Sequence, residues 1–199
     1  MTILDEKPIV TITGDTVTLG PISRDLVPLM TRWMNDLGAQ QRLGFAVPGP
    51  FTIEAEEQWY DGVARSREQV TFLVRERETG TPIGTTGLHG INQRNRSATF
   101  GIMIGDSSAR GKGFGTEATS LTLDFAFSVA GLHSVDLTVA EFNLAGQHAY
   151  SRAGFRECGR FRERIWMFGK WWDEIHMECL ASEFISPALA RTHLPDQSR

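Results

Sequence analysis

Two periodicities alternate along this chain, and their order predicts an α/β domain with a mixed central sheet of about six to seven strands flanked by about four helices. Val70–Arg75, Ile83–Ile91 and Ala98–Ile104 have strand composition and are separated by turn-type sequence such as Gly80-Thr81-Pro82, which reads as an antiparallel meander. Gly113–Val129 then places Phe114, Ala118, Leu121, Phe125 and Val129 at helical spacing, ahead of the short alternating strand Ser134–Val139. A strand-helix-strand crossover of that kind favours parallel pairing. At 199 residues, 41% hydrophobic and 22% charged, the chain has the composition of one globular domain.

The remaining elements follow in order. Thr16–Leu19 reads as a strand and Asp25–Leu37 as an amphipathic helix with Leu26, Leu29, Met30, Trp33 and Leu37 on one side. The Gly- and Pro-rich stretch Gly44–Pro50 is a loop. A second helix over Thr52–Arg67 carries Glu54, Glu56 and Glu57 in its first turns, where the helix dipole favours anions. After the crossover come a helix over Leu144–Ala153 and two strands, Phe155–Phe168 and Trp171–Leu180. The resulting order is β-α-α-β-β-β-α-β-α-β-β. Residues 1–15 read as a short extension with a disordered start before about Thr11, 16–180 as the domain, and 181–199 as a tail that loosens after Pro187.

Composition narrows the function classes. No apolar stretch approaches the roughly 18 residues of a membrane helix and the start lacks a signal pattern, so the expected location is the cytoplasm, away from a membrane. Cys158 and Cys179 are too far apart for a CxxC pair and lack a zinc-spaced His/Cys cluster, so buried free thiols and no metal are expected. A formal charge of −4 argues against a nucleic-acid partner. Yet Arg94, Arg96, Arg110 and Lys112 lie close together in sequence, which reads either as scattered charges on a solvated loop or as one positive corner able to hold a small polyanion.

The most informative segment runs from Gly105 through Glu117, a strand end entering a helix. Glycines at 111, 113 and 115 remove side chains where the backbone turns, so that N–H groups can converge on an anion at the positive end of the helix. Arg110 and Lys112 add full charges. A nucleotide P-loop would end in Gly-Lys-Ser/Thr, which this segment lacks.

Arg110-Gly111-Lys112-Gly113-Phe114-Gly115 resembles the Arg/Gln-x-x-Gly-x-Gly/Ala segment that binds the pyrophosphate of acyl-CoA in the GNAT N-acetyltransferase superfamily. Asn143, Tyr150 and Gly154-Phe155 sit at the spacing of that family's Asn-x-x-Ala-x-x-x-Tyr-x-x-x-Gly-Phe helix, with Gly146 in place of Ala. The resemblance covers roughly Thr16 to Leu180. The stretch from Ser97 to Glu117 and the Gly169–Glu174 ending look most like the subgroup that includes ribosomal-protein N-terminal and polyamine acetyltransferases.

The resemblance implies direct acetyl transfer from acetyl-CoA to an amine, either a small molecule or a protein N-terminus, without metal or covalent enzyme intermediate. It assigns pantetheine contacts to the backbone of Ile102 and Ile104, phosphate contacts to Arg110 through Thr116, and a further cofactor contact or helix cap to Asn143. Tyr150 takes the place of the family tyrosine that points at the CoA sulfur, and a phenol of pKa about 10 can donate to a thiolate of pKa about 8.5. A helix-borne tyrosine otherwise belongs to a core.

Removing the acceptor's proton needs a base, for which His89 and Glu141, each at the end of an expected strand, are the candidates. Asp173, Glu174 and His176 alternate along the final strand. The acceptor side is expected from Trp33 through Trp59, where Trp33, Phe45, Phe51, Trp59 and the three glutamates offer rings and charge to a cationic amine. Dimerisation is common among similar proteins, so a homodimer enters on the resemblance alone. The alternative from another class is an acyl-CoA sensor or interaction module that has lost the chemistry.

Overall fold

The computed structural model describes residues 8–44 and 49–189. In chain order, β1 (Ile12–Thr13) and β2 (Val17–Pro21) precede three helices, α1 (Val27–Met34), α2 (Leu37–Arg42) and α3 (Ile53–Arg65). The meander follows as β3 (Val70–Glu76), β4 (Pro82–Asn92) and β5 (Ser97–Ile104). Then come α4 (Phe114–Asp124), β6 (Ser134–Ala140), α5 (Leu144–Ala153), β7 (Arg156–Met167) and β8 (Lys170–Leu180). Among the described residues these make one sheet of eight strands in the order β1-β2-β3-β4-β5-β6-β8-β7, with five α-helices. Both counts exceed the expected six to seven strands and four helices by one. The added strand is β1, which pairs with β2 through Ile12 and Leu19 inside the stretch read as an extension.

All strand pairs are antiparallel except β5 with β6, which pair parallel only at Ser97↔Ser134, Ala98↔Val135 and Thr99↔Asp136. Beyond Thr99 the two strands diverge, and β5 runs on to Ile104 paired with β4 alone. Side chains alternate across a strand. Ala98 and Phe100 therefore enter the core under α4 and α5, while Met103 packs on the opposite face with Val27, Met30 and Trp33 of α1. Thr86 and Thr122 meet within that first core at 3.1 Å and fix α4 against β4.

The expected helix over Asp25–Leu37 is broken, and the reason is local. Its opening residues Arg24–Leu26 form a 3-10 turn, and Pro28 stands at the start of α1. The chain then halts at Asn35, whose side-chain amide donates to the carbonyls of Thr31 and Phe51. Asp36 adopts extended backbone and accepts from the Gly38 and Ala39 N–H groups, capping α2 as a new helix. The helix expected over Gly113–Val129 likewise changes type, from α through Asp124 to a π-turn over Phe125–Val129.

Asp124 is fully buried, and its carboxylate accepts from the Ser128 hydroxyl and from the backbone N–H groups of Ala188 and Leu189. Leu189 thereby reaches the core beside Val17, Leu19 and Phe114, so this part of the stretch read as a loose tail is docked. Both cysteines are free, but Cys158 is exposed where β7 bulges instead of buried as expected, because β7 is the edge strand. No helix among the described residues is long and apolar enough to cross a membrane.

Replacing Asp124 by Ala strands buried N–H donors, each of which costs about 1–3 kcal/mol. A loss of roughly 3 kcal/mol in urea unfolding is expected for Asp124→Ala, with faster proteolysis after Leu180; unchanged cleavage there removes its anchoring role.

Candidate active site

The wedge left by the divergence of β5 from β6 is a cavity of about 560 Å³, walled by Ile102 to Ile104, the start of α4 and one face of α5. Gly111 and Gly113 adopt φ of 75° and 89°, which glycine alone reaches without strain, and so bring the chain into α4 with no side chain in the way. Gly111, Gly113, Gly115 and Thr116 all line the cavity. The free N–H groups and positive dipole end of the eleven-residue α4 thus border it, an arrangement suited to a pyrophosphate.

Several of the expected cofactor-binding residues make contacts within the protein that the sequence does not mark. Arg110 folds back, donating from Nε to the Ile104 carbonyl at 3.0 Å and from Nη2 to the Gly105 carbonyl at 2.9 Å, and it pairs with Asp36 at 3.2 Å. Burial alone would raise the Asp36 carboxyl, yet the Ala39 and Gly38 amides and Arg110 hold it below its ordinary value. Arg110 lines the cavity while stapling α2 to the end of β5. Lys112 is exposed and outside the cavity wall, and the Phe114 ring is buried in the core. Arg42 and Arg152 also line the cavity, and neither forms an ion pair among the described residues. Motif spacing does not mark them, because each lies at a helix end that only the fold brings to the wedge.

Ile102 and Ile104 stand where expected. In an antiparallel pair a residue's N–H and C=O point to the same side. The Ile104 carbonyl is bonded by Arg110, so the main chain of 104, and of 102 two residues earlier, faces the open wedge. Asn143 caps α5, its Oδ1 accepting from the Gly146 N–H at 3.0 Å while Nδ2 donates to the Arg42 carbonyl at 2.9 Å. A Cβ at 146 would stand 2.7 Å from that Nδ2, which accounts for the glycine there. Tyr150 also lines the wedge, its ring edge-on to Phe100 and Phe155, and burial pushes its phenol up to about 12.

On the other face of β5 a second cavity, of about 440 Å³, lies beneath α1 and α3. Met30, Met34, Phe51, Trp59, Leu88 and Met103 give it apolar walls, and Glu56 and His89 bring its titratable groups. Glu56 is 7% exposed, and its carboxylate has no hydrogen bond or ion pair among the described residues; burial raises its pKa. Glu54 and Glu57 are exposed and outside the cavity wall. Trp33 is packed against Gly105, where any Cβ would overlap the indole, so it is core. Phe45 lies outside the described residues. Glu141 lines neither cavity: its carboxylate pairs with Arg160 at 3.5 Å and accepts from the Asp173 N–H. Asp173 is held by Arg160, and Glu174 Oε1 stands 3.2 Å from His176 Nε2 without a hydrogen bond between them, also away from both cavities.

A helix start suited to phosphate, a splayed strand and a second cavity on the far side of that strand fit the class of acyl-CoA-dependent acyltransferases. Comparison with known proteins agrees. A model of the acetyltransferase (GNAT) domain matches residues 16–156. The spermidine N(1)-acetyltransferase of Vibrio cholerae serotype O1 is 31% identical over 130 residues, covering 65% of this chain and 74% of that protein. Its Escherichia coli K12 counterpart is 26% identical over 170 residues, covering 85% and 89%. The crystal structure of spermidine N-acetyltransferase from Vibrio cholerae in complex with CoA and spermine superposes with a TM-score of 0.77 at 27% identity, covering 84% of this chain and 97% of that one. The chain belongs to the GNAT acetyltransferase family and is an acetyl-CoA-dependent N-acetyltransferase.

At Gly113 the space around an added Cβ is open, so a side chain would project without clashing with the core, at a backbone strain of about 1–2 kcal/mol. Gly113→Leu is expected to keep a cooperative unfolding transition and lose the rise in melting temperature that acetyl-CoA produces. A preserved rise means that Gly113 does not border the phosphate site.

Proposed function

We propose that the two cavities hold the two substrates of a direct transfer, with acetyl-CoA in the wedge between β5, α4 and α5 and a cationic primary amine beneath α1 and α3. The observation that carries this is their shared wall: Leu43, Ile102 and Met103 line both. An amine and a thioester entering from opposite sides meet there. None of the three side chains is a nucleophile, so the shared wall offers no covalent intermediate. The relatives named for spermidine support a cationic amine as acceptor, and the buried carboxylate of Glu56 supplies a matching charge.

In this reading the main chain of Ile102 on the open side of β5 hydrogen-bonds the acyl group, and an N–H there stabilises charge developing on the thioester oxygen. His89, at the acceptor cavity, accepts the amine's proton. Tyr150 attends the departing sulfur. A phenol at about 12 holds its proton against a thiolate of ordinary pKa about 8.5 by about 5 kcal/mol, so its part is hydrogen-bond stabilisation of the thiolate ahead of full transfer.

Because burial raises the phenol, Tyr150 stays protonated and able to donate throughout the neutral and mildly alkaline range. Tyr150→Phe should lower kcat about 100-fold with the KM for acetyl-CoA within about threefold, read by thiol release at saturating amine. In the native enzyme no alkaline loss of rate from this phenol is expected below about pH 10. An unaltered kcat in the variant would exclude the role. Initial rates with both substrates varied should give intersecting lines; parallel lines would mean a covalent intermediate and overturn direct transfer.

A further inference from the structure

The acceptor cavity has one feature that family membership does not supply. Its described wall carries a single carboxylate, Glu56, in a surface made chiefly by Met30, Met34, Phe51, Trp59 and Met103. Glu56 is 7% exposed and has no partner for its carboxylate among the described residues. A partly desolvated carboxylate with no protein group opposite it is an incomplete pair, and a cation arriving beside it completes that pair. Trp59 follows one helical turn later on the same face of α3, so its ring and the carboxylate border the same space. Carboxylate and indole together suit one ammonium group.

We infer that Glu56 is the specificity residue of the acceptor site and selects a small primary amine bearing one positive charge on an apolar arylalkyl or branched-alkyl body. This rests on the reading that this cavity takes the acceptor. A polyamine brings several ammonium groups, and once Glu56 has matched one, the others meet a mostly apolar wall whose further polar groups, Gln69, Thr71, Thr85 and Thr86, are neutral and offer no counter-charge. An apolar body instead gains by leaving water at about 25 cal/mol per Å². The chain thus differs in acceptor from the spermidine acetyltransferases that it resembles in fold.

The test is thiol release by the full chain at saturating acetyl-CoA, with 2-phenylethylamine and 3-methylbutylamine set against spermidine and putrescine. The two apolar monoamines are expected to have kcat/KM at least tenfold above either polyamine. Glu56→Gln should raise the KM for 2-phenylethylamine at least tenfold with kcat within about threefold, and Glu56→Asp should recover part of the loss. Both variants are checked for a melting temperature no lower than the native value and for an intact acetyl-CoA shift. Preference for spermidine, or equal KM values in the Gln variant and the native enzyme, overturns the inference while leaving the acetyltransferase intact. Release with neither amine class, while acetyl-CoA still raises the melting temperature, overturns the acceptor class. Absence of that rise fails the parent reading instead.

Discussion

The short parallel pairing of β5 with β6 is the constraint from which the rest of the site follows. Three paired positions join the halves of the sheet, and the divergence after Thr99 frees one edge of β5 without exposing it to bulk solvent, because α4 and α5 roof the gap. Unpaired backbone in such a place needs partners. Arg110 supplies one at Ile104, and the remaining groups are available to a substrate that binds along the strand. Ile102 and Met103 of the same strand each border both cavities, so one element forms the wall between them.

Precision at that junction depends on contacts that hold the helices of the acceptor side to the end of β5. Gly105 lets the Trp33 indole lie directly on the backbone where β5 ends. Arg110 ties the same end of β5 to Asp36, which caps α2, and Asn143 ties the Arg42 carbonyl to the first turn of α5. The acceptor helices are therefore fastened to both margins of the donor wedge. These side chains are committed to bonds within the protein, whereas Arg42 and Arg152 line the wedge without an ion pair among the described residues.

The parts of the fold legible in the sequence are those set by local chemistry. Leu144–Ala153 was bounded correctly because Asn143 caps its start and Gly154 ends it at a φ of 117°. The meander and the final hairpin were legible from alternation and turns. What escaped was decided by tertiary context. An apolar stripe runs through Asp25–Leu37, yet Asn35 bonds Phe51, a partner sixteen residues away, and Asp36 restarts the helix. Three neighbouring glutamates look alike in a first turn, and only the packing of α3 against α1 turns Glu56 alone of the three inward. Arg110 matches a phosphate-binding motif, but its orientation is set by carbonyls at the end of β5 that no motif encodes.

Burial has opposite consequences for the two acids on either side of β5. It favours the neutral form of both, raising the Tyr150 phenol and the Glu56 carboxyl alike. In the proposed transfer the neutral form of Tyr150 is the one that donates to the sulfur, and burial keeps it protonated. For Glu56 the form that would receive an ammonium is the ion, which burial opposes. A carboxyl whose folded pKa is raised contributes stability present at low pH and lost as pH rises through that pKa, so the empty enzyme at neutral pH carries an electrostatic penalty at this position. An entering cation removes the penalty, whereas a neutral molecule of the same shape does not. On the proposed reading the donor side is thus preorganised, and charge discrimination resides in the cavity that takes the amine.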